Sequence, residues 1–83
     1  MIREKKRGEA MFKRYRNING NSNVNSYEIG PDYIDVIFNG TRKVYRYSYR
    51  KAGRIHVEKM KALAERGYGL NSYINLYCRE LYD

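Results

Sequence analysis

The chain has no tryptophan, one cysteine (Cys78), one histidine (His56) and one proline (Pro31) in 83 residues. A single cysteine excludes a disulfide within the chain. With a single histidine it also excludes a zinc site built from several Cys or His ligands. No apolar run approaches the ~18 residues that span a bilayer. No apolar stretch follows the basic start Met1-Ile2-Arg3-Glu4-Lys5-Lys6-Arg7, so no signal peptide is expected. These absences predict a protein without membrane attachment, in a reducing cytoplasmic setting, with no metal or other cofactor. No Walker, G-x-S-x-G or His-rich constellation is present. Glu58 and Glu65 are flanked by Lys59, Lys61 and Arg66, the pattern of a solvated helix face. A non-enzymatic protein is expected.

What the chain has is charge of one sign and tyrosine. Lys plus Arg is 17 against 9 Asp plus Glu, for a net +8, and there are ten tyrosines. Hydrophobic content of 42% supports one small folded core. The charge is blocked. Residues 1–16 carry seven bases and two acids, and residues 17–41 carry three acids and no base. Residues 42–54 carry six bases and no acid, and residues 55–83 balance. An anionic partner follows most simply from this distribution, with nucleic acid the first candidate.

Periodicity organises the rest. Residues 1–21 read as a basic arm and an Asn-rich linker, with a short amphipathic helix possible around Met11, Phe12 and Tyr15. Residues 22–83 read as one α+β domain. Residues 24–29 form a first strand, and Gly30-Pro31-Asp32 is a turn. In the second strand Ile34, Val36 and Phe38 share one face and Tyr33, Asp35 and Ile37 the other. Asn39-Gly40 suits a two-residue type I′ hairpin. It leads into a return strand over 41–49, whose faces are Tyr45/Tyr47/Tyr49 and Arg42/Val44/Arg46/Ser48/Arg50. A two-residue loop pairs Phe38 with Thr41 and Ile34 with Tyr45, which places Tyr45 and Tyr47 in the core. A helix over 54–66 buries His56, Val57, Met60, Leu63 and Ala64 and stops at Gly67. A second helix, about 70–81, has Leu70, Tyr73, Ile74, Tyr77 and Leu81 as its stripe and Asn71 near its start. The predicted architecture is a three-stranded antiparallel β-meander followed by two helices packed on one face. The strand 24–29 is left as an exposed edge through which copies could pair.

Residues 22–82 resemble the KTSC domain, a small module at the C-terminus of some lysyl-tRNA synthetases that also occurs as single-domain bacterial and phage proteins. The residues that carry the likeness are Ser22-Asn23-Val24 and Ile34-Asp35-Val36-Ile37-Phe38, then the Y-x-Y signature Tyr45-Arg46-Tyr47. They continue with Gly67 after a helix and then Asn71 and Ile74. The chain lacks the family's proline between Y-x-Y and the helix and has Asn75 at a basic position of the family. The resemblance implies the α+β fold and no established reaction, with RNA binding as its usual suggestion.

The sharpest candidate site is the Arg42/Arg46/Arg50 stripe. Side chains two apart on a strand stand about 6.5–7 Å from one another, a spacing that suits successive phosphates. Lys43, Lys51 and Arg54 widen it, and Tyr49 and Tyr33 are the rings expected at the surface. Lys13, Arg14 and Arg16, with Arg3, Lys5, Lys6 and Arg7, form a candidate electrostatic arm. His56 and Cys78 read as structural residues. The expected function is a small basic module binding RNA or single-stranded nucleic acid through phosphate contacts. The alternative is a phage-type, anti-CRISPR-like inhibitor that binds an RNA-guided nuclease or another host nucleic-acid machine.

Overall fold

The computed structural model describes residues 11–83. The arm positions Arg3, Lys5, Lys6 and Arg7 lie outside the described residues. The chain runs β1 (Lys13–Arg14), β2 (Val24–Ile29), β3 (Tyr33–Phe38), β4 (Val44–Ser48), α1 (Arg54–Arg66) and α2 (Leu70–Tyr73). A π-helical turn, Ile74–Cys78, continues α2 without a break. The sheet is antiparallel in the order β1-β2-β3-β4. The α+β class and the strands-then-helices order match the expectation; the sheet has four strands rather than three.

The additional strand comes from the basic arm. Lys13 pairs with Tyr27 and Arg14 with Ser26, where the spacing of Met11, Phe12 and Tyr15 suits a short helix. Tyr15 is only 3% exposed, and its backbone N–H bonds the Asn25 carbonyl at 3.0 Å. Its hydroxyl accepts the Leu70 N–H at 3.3 Å, so a residue outside the expected 22–83 domain occupies a free donor at the start of α2. Asn71 makes no side-chain cap; the residue before the helix is Gly69. With β1 in place, β2 lies inside the sheet and is not the exposed edge.

The hairpin register differs from the two-residue-loop expectation by two positions. Ile34 pairs with Tyr47 and Val36 with Tyr45, and five residues, 39–43, connect the strands. Gly40 has φ +83° while Asn39 does not enter the left-handed region, so the type I′ geometry is not formed. A shift of two preserves which face each side chain occupies. Ile34, Val36 and Tyr47 therefore lie in the core as expected.

α1 covers that face with Val57, Met60, Leu63 and Ala64, and ends at Gly67 in the left-handed conformation (φ +89°). Leu70, Ile74 and Cys78 continue the core along the second helical segment. Here the expected helix over 70–81 departs twice: it ends at Cys78, so Leu81 lies beyond it, and Tyr77 is 57% exposed while Cys78 takes the inward place. The π turn explains the exchange of Tyr77 for Cys78. Its wider turn rotates each later residue backward, so the residue four after Ile74 follows it into the core. The Cys78 thiol is fully buried, and desolvation raises its pKa. The C-terminal residues then lie against β4: the Asp83 N–H bonds the Arg46 carbonyl at 2.8 Å, and Ser48 Oγ donates to Asp83 Oδ1 at 2.7 Å.

Candidate nucleic-acid interface

The six cations of residues 42–54 follow β4 and its flanking segments, together the ridge: Arg42 and Lys43 before the strand, Arg46 within it, and Arg50, Lys51 and Arg54 after it. At one end, the 39–43 loop carries Arg42 and Lys43. It is held by the Lys43 N–H on Thr41 Oγ1 (3.0 Å) and by the Asn39 N–H on the Asn23 carbonyl (2.8 Å). At the other end, the chain turns sharply after Ser48, whose carbonyl accepts the Ala52 N–H at 2.7 Å. Ala52 points into the core, which leaves Arg50 and Lys51 in solvent beside a hollow of about 410 Å³ shared with Ser48 and Asp83. Arg54 opens α1 with its guanidinium 5.7 Å from the Tyr49 ring centre. At ~3.3 Å per residue, the span from Lys43 to Tyr49 is about 20 Å, enough for several phosphates of an extended strand.

The stripe is not the uniform row that alternation suggested. Arg42 and Arg50 lie outside β4, in the loops that flank it; only Arg46 is within the strand. Arg46 is also committed elsewhere. Its Nε and Nη2 donate to the two carboxylate oxygens of Asp35 at 2.8 and 2.9 Å, and its guanidinium lies 3.8 Å over the Tyr33 ring. The hydrogen bonds to Asp35 stabilise the charged guanidinium and push its pKa further up. Tyr33 is therefore a half-covered support and not a free ring. Among the described residues, Arg46 is the single member of the ridge with an ion pair. Arg42, Lys43, Arg50, Lys51 and Arg54 keep their charge available to a partner.

Tyr49 is also engaged. Its hydroxyl donates to Glu58 Oε2 at 2.5 Å, which raises the phenol's pKa. The bonds from Tyr49 and Lys61 lower that of Glu58. The arm residues divide. Lys13 and Arg14 are exposed on β1, three strands from the ridge, or about 14 Å at ordinary strand spacing. Arg14 shares its cross-strand row with Ser26 and Ile37, on the sheet face away from the helices. Arg16 turns the other way and hydrogen-bonds the Glu65 carbonyl, against α1. The candidate residues thus occupy three places: the ridge, the far edge, and the helix side.

A second feature was not anticipated. Beside the ridge, a cleft of about 340 Å³ opens between the Phe38 and Tyr45 end of the sheet and the α2 segment. Phe38, Tyr45 and Tyr82 form an edge-to-face series, with centroids 5.3 and 4.9 Å apart. Asn23, Asn71 and Asn75 supply amides, and Arg79 and Glu80 supply charges of opposite sign. Phe38, Tyr45, Tyr47, Asn71 and Ile74 all line it. The signal available in the sequence was the Asn71/Asn75/Arg79 spacing of four. His56 stands elsewhere, with its Nδ1 2.8 Å from the Tyr73 hydroxyl. Among the described residues no group of three or more His, Cys, Asp or Glu could hold a metal, and no helix is long and apolar enough to cross a membrane. No protein-family model, curated protein or solved structure matches the chain.

Proposed function

We propose that this protein is a non-enzymatic module that binds RNA or single-stranded DNA through phosphate contacts along the β4 ridge. The observation that carries this reading is five exposed cations in two groups, Arg42 and Lys43 before β4 and Arg50, Lys51 and Arg54 after it, about 20 Å apart along the strand and without an ion-pair partner among the described residues. Solvated charges spread for solubility alone would be interspersed with acids, as α1 is with Glu58 and Glu65. The 42–54 block has no acid of its own; Asp35 pairs with Arg46, and Asp83, docked on β4 beside Arg50 and Lys51, is one carboxylate among them. The strands-then-helices order agrees with a KTSC-domain affiliation, which forms part of the proposal.

The test is fluorescence anisotropy of a labelled single-stranded RNA across a salt series. Each neutralised phosphate contributes about −0.7 to the log–log salt slope, so five engaged cations give roughly −3.5. Changing Arg42, Arg50 and Lys51 together to Ala removes about 2 from that slope. Absence of binding at low salt, or an unchanged slope in the triple variant, refutes the reading. A stoichiometric protein captured from host lysate and retained after RNase treatment would overturn it in favour of the nuclease-inhibitor reading.

A further inference from the structure

We propose that the cleft beside the ridge receives one unstacked nucleobase of the bound strand, so that the module reads a base as well as a backbone. The inference rests on the nucleic-acid reading and deepens it. Three observations converge. The first is size: about 340 Å³ lies at the small end of ligand sites and suits a single planar heterocycle, not a folded peptide. The second is chemistry. One side presents the aromatic series Phe38, Tyr45 and Tyr82, surfaces on which a base of any identity can stack. The other presents Asn71 and Asn75. A side-chain amide carries a donor and an acceptor side by side, the pattern that matches a base edge.

The third observation is continuity. The Lys43 ammonium stands 4.7 Å from the Tyr45 ring centre and 5.5 Å from that of Tyr82, at the border between ridge and cleft. A strand whose phosphates follow Arg42 and Lys43 passes the mouth of the cleft. Arg79, which lines the cleft next to Glu80, offers a second phosphate contact for a nucleotide turned inward. The π turn has a place in this arrangement. In an α-helix, residues four apart lead each other by about 40°. The wider turn over Ile74–Cys78 reduces that lead, which keeps Asn71, Asn75 and Arg79 nearer one line facing the cleft.

The experiment compares a base-bearing oligonucleotide with an abasic one of the same length and charge, both labelled, at one salt concentration. Stacking of one base predicts tighter binding of the base-bearing strand by roughly 5- to 150-fold. Tyr82→Leu and Asn75→Ala should each shrink that ratio and leave abasic binding unchanged. Asn75 is exposed on the helical segment, where Ala preserves the helix, so its variant remains informative if Tyr82→Leu fails to fold. Equal affinity for the two strands, or a base preference that survives both substitutions, overturns the cleft assignment and leaves the ridge standing. No binding of either strand at low salt removes both.

Discussion

Arg46 is the residue at which fold and function are most easily confused, and its replacement separates them. Asp35 lies on the sheet face away from the helices, yet it is only 4% exposed, because the Arg46 guanidinium and the Tyr33 ring cover it. Arg46→Ala strips both carboxylate hydrogen bonds and leaves Asp35 beside Glu28, its neighbour in the β2–β3 register. Removing one partner of a fully buried pair costs about 3–5 kcal/mol. The Arg46 side chain is 47% exposed, so water reaches the stranded carboxylate and about 2 kcal/mol is the expected loss. For a domain of this size that corresponds to a fall in Tm of roughly 8–16 °C. Lysine restores the charge without the planar two-point contact or the stacking, so Arg46→Lys should recover only part of the loss. Thermal melts followed by circular dichroism, with Asp35→Ala and the double variant, complete the cycle. Asp35→Ala should cost little once Arg46 is gone. A drop below about 3 °C for Arg46→Ala, or single effects that add within ~0.5 kcal/mol, would refute the reasoning. In RNA titrations Arg46→Ala should leave the salt slope near wild type, whereas Arg42→Ala should reduce it by about 0.7.

Two further outcomes follow from buried groups. Burial raises the Tyr47 phenol above its usual value, so its contribution is whole below about pH 10, where the unfolded phenol is still neutral. Above that pH the unfolded chain sheds a proton that the folded one retains. Stability then falls by up to about 1.4 kcal/mol per pH unit from this group, and Tyr47→Phe should flatten the decline in melts between pH 9 and 12. At Gly67, a Cβ would meet the Arg16 Cβ at 3.0 Å in a left-handed backbone conformation. Gly67→Ala should therefore cost about 1–2 kcal/mol in urea unfolding, and an unchanged midpoint would contradict this.

Much of the architecture was legible because the signals were local. Val57, Met60, Leu63 and Ala64 repeat at helical spacing, and the alternation through Tyr33–Phe38 and Tyr45–Tyr47 placed each side chain on its observed face. Parity rescued the hairpin: Asn39-Gly40 suggested too short a loop, but an error of two residues leaves faces unchanged. What escaped had no local mark. Lys13–Arg14 is too short to show alternation, and Tyr15 is one aromatic in a basic run whose hydroxyl finds Leu70 only in the folded chain. The π turn is a small widening with no composition of its own. The ridge was visible as a charge block, while the commitment of Arg46 depends on the register that sets it opposite Asp35. The cleft gathers Asn23, which lies ahead of β2, with β3, β4, α2 and its π turn, and the C-terminal residues, so no window of sequence contains it.

The contact between Asp83 and β4 bears on self-association. An outer strand normally offers its unpaired carbonyls and amides to any other strand that approaches, which is how sheets grow into aggregates. On β4 the Arg46 carbonyl is already occupied by the Asp83 N–H, and Arg42, Lys43, Arg50 and Lys51 flank the position with like charge that repels a second copy. The sheet is thus closed to runaway growth on this side by a short stretch of its own chain and by electrostatics together. The second guard is conditional. Polyanions and high salt both screen it, so the tendency of copies to crowd together through β4 is set by the same charge that the ridge presents to a phosphate chain.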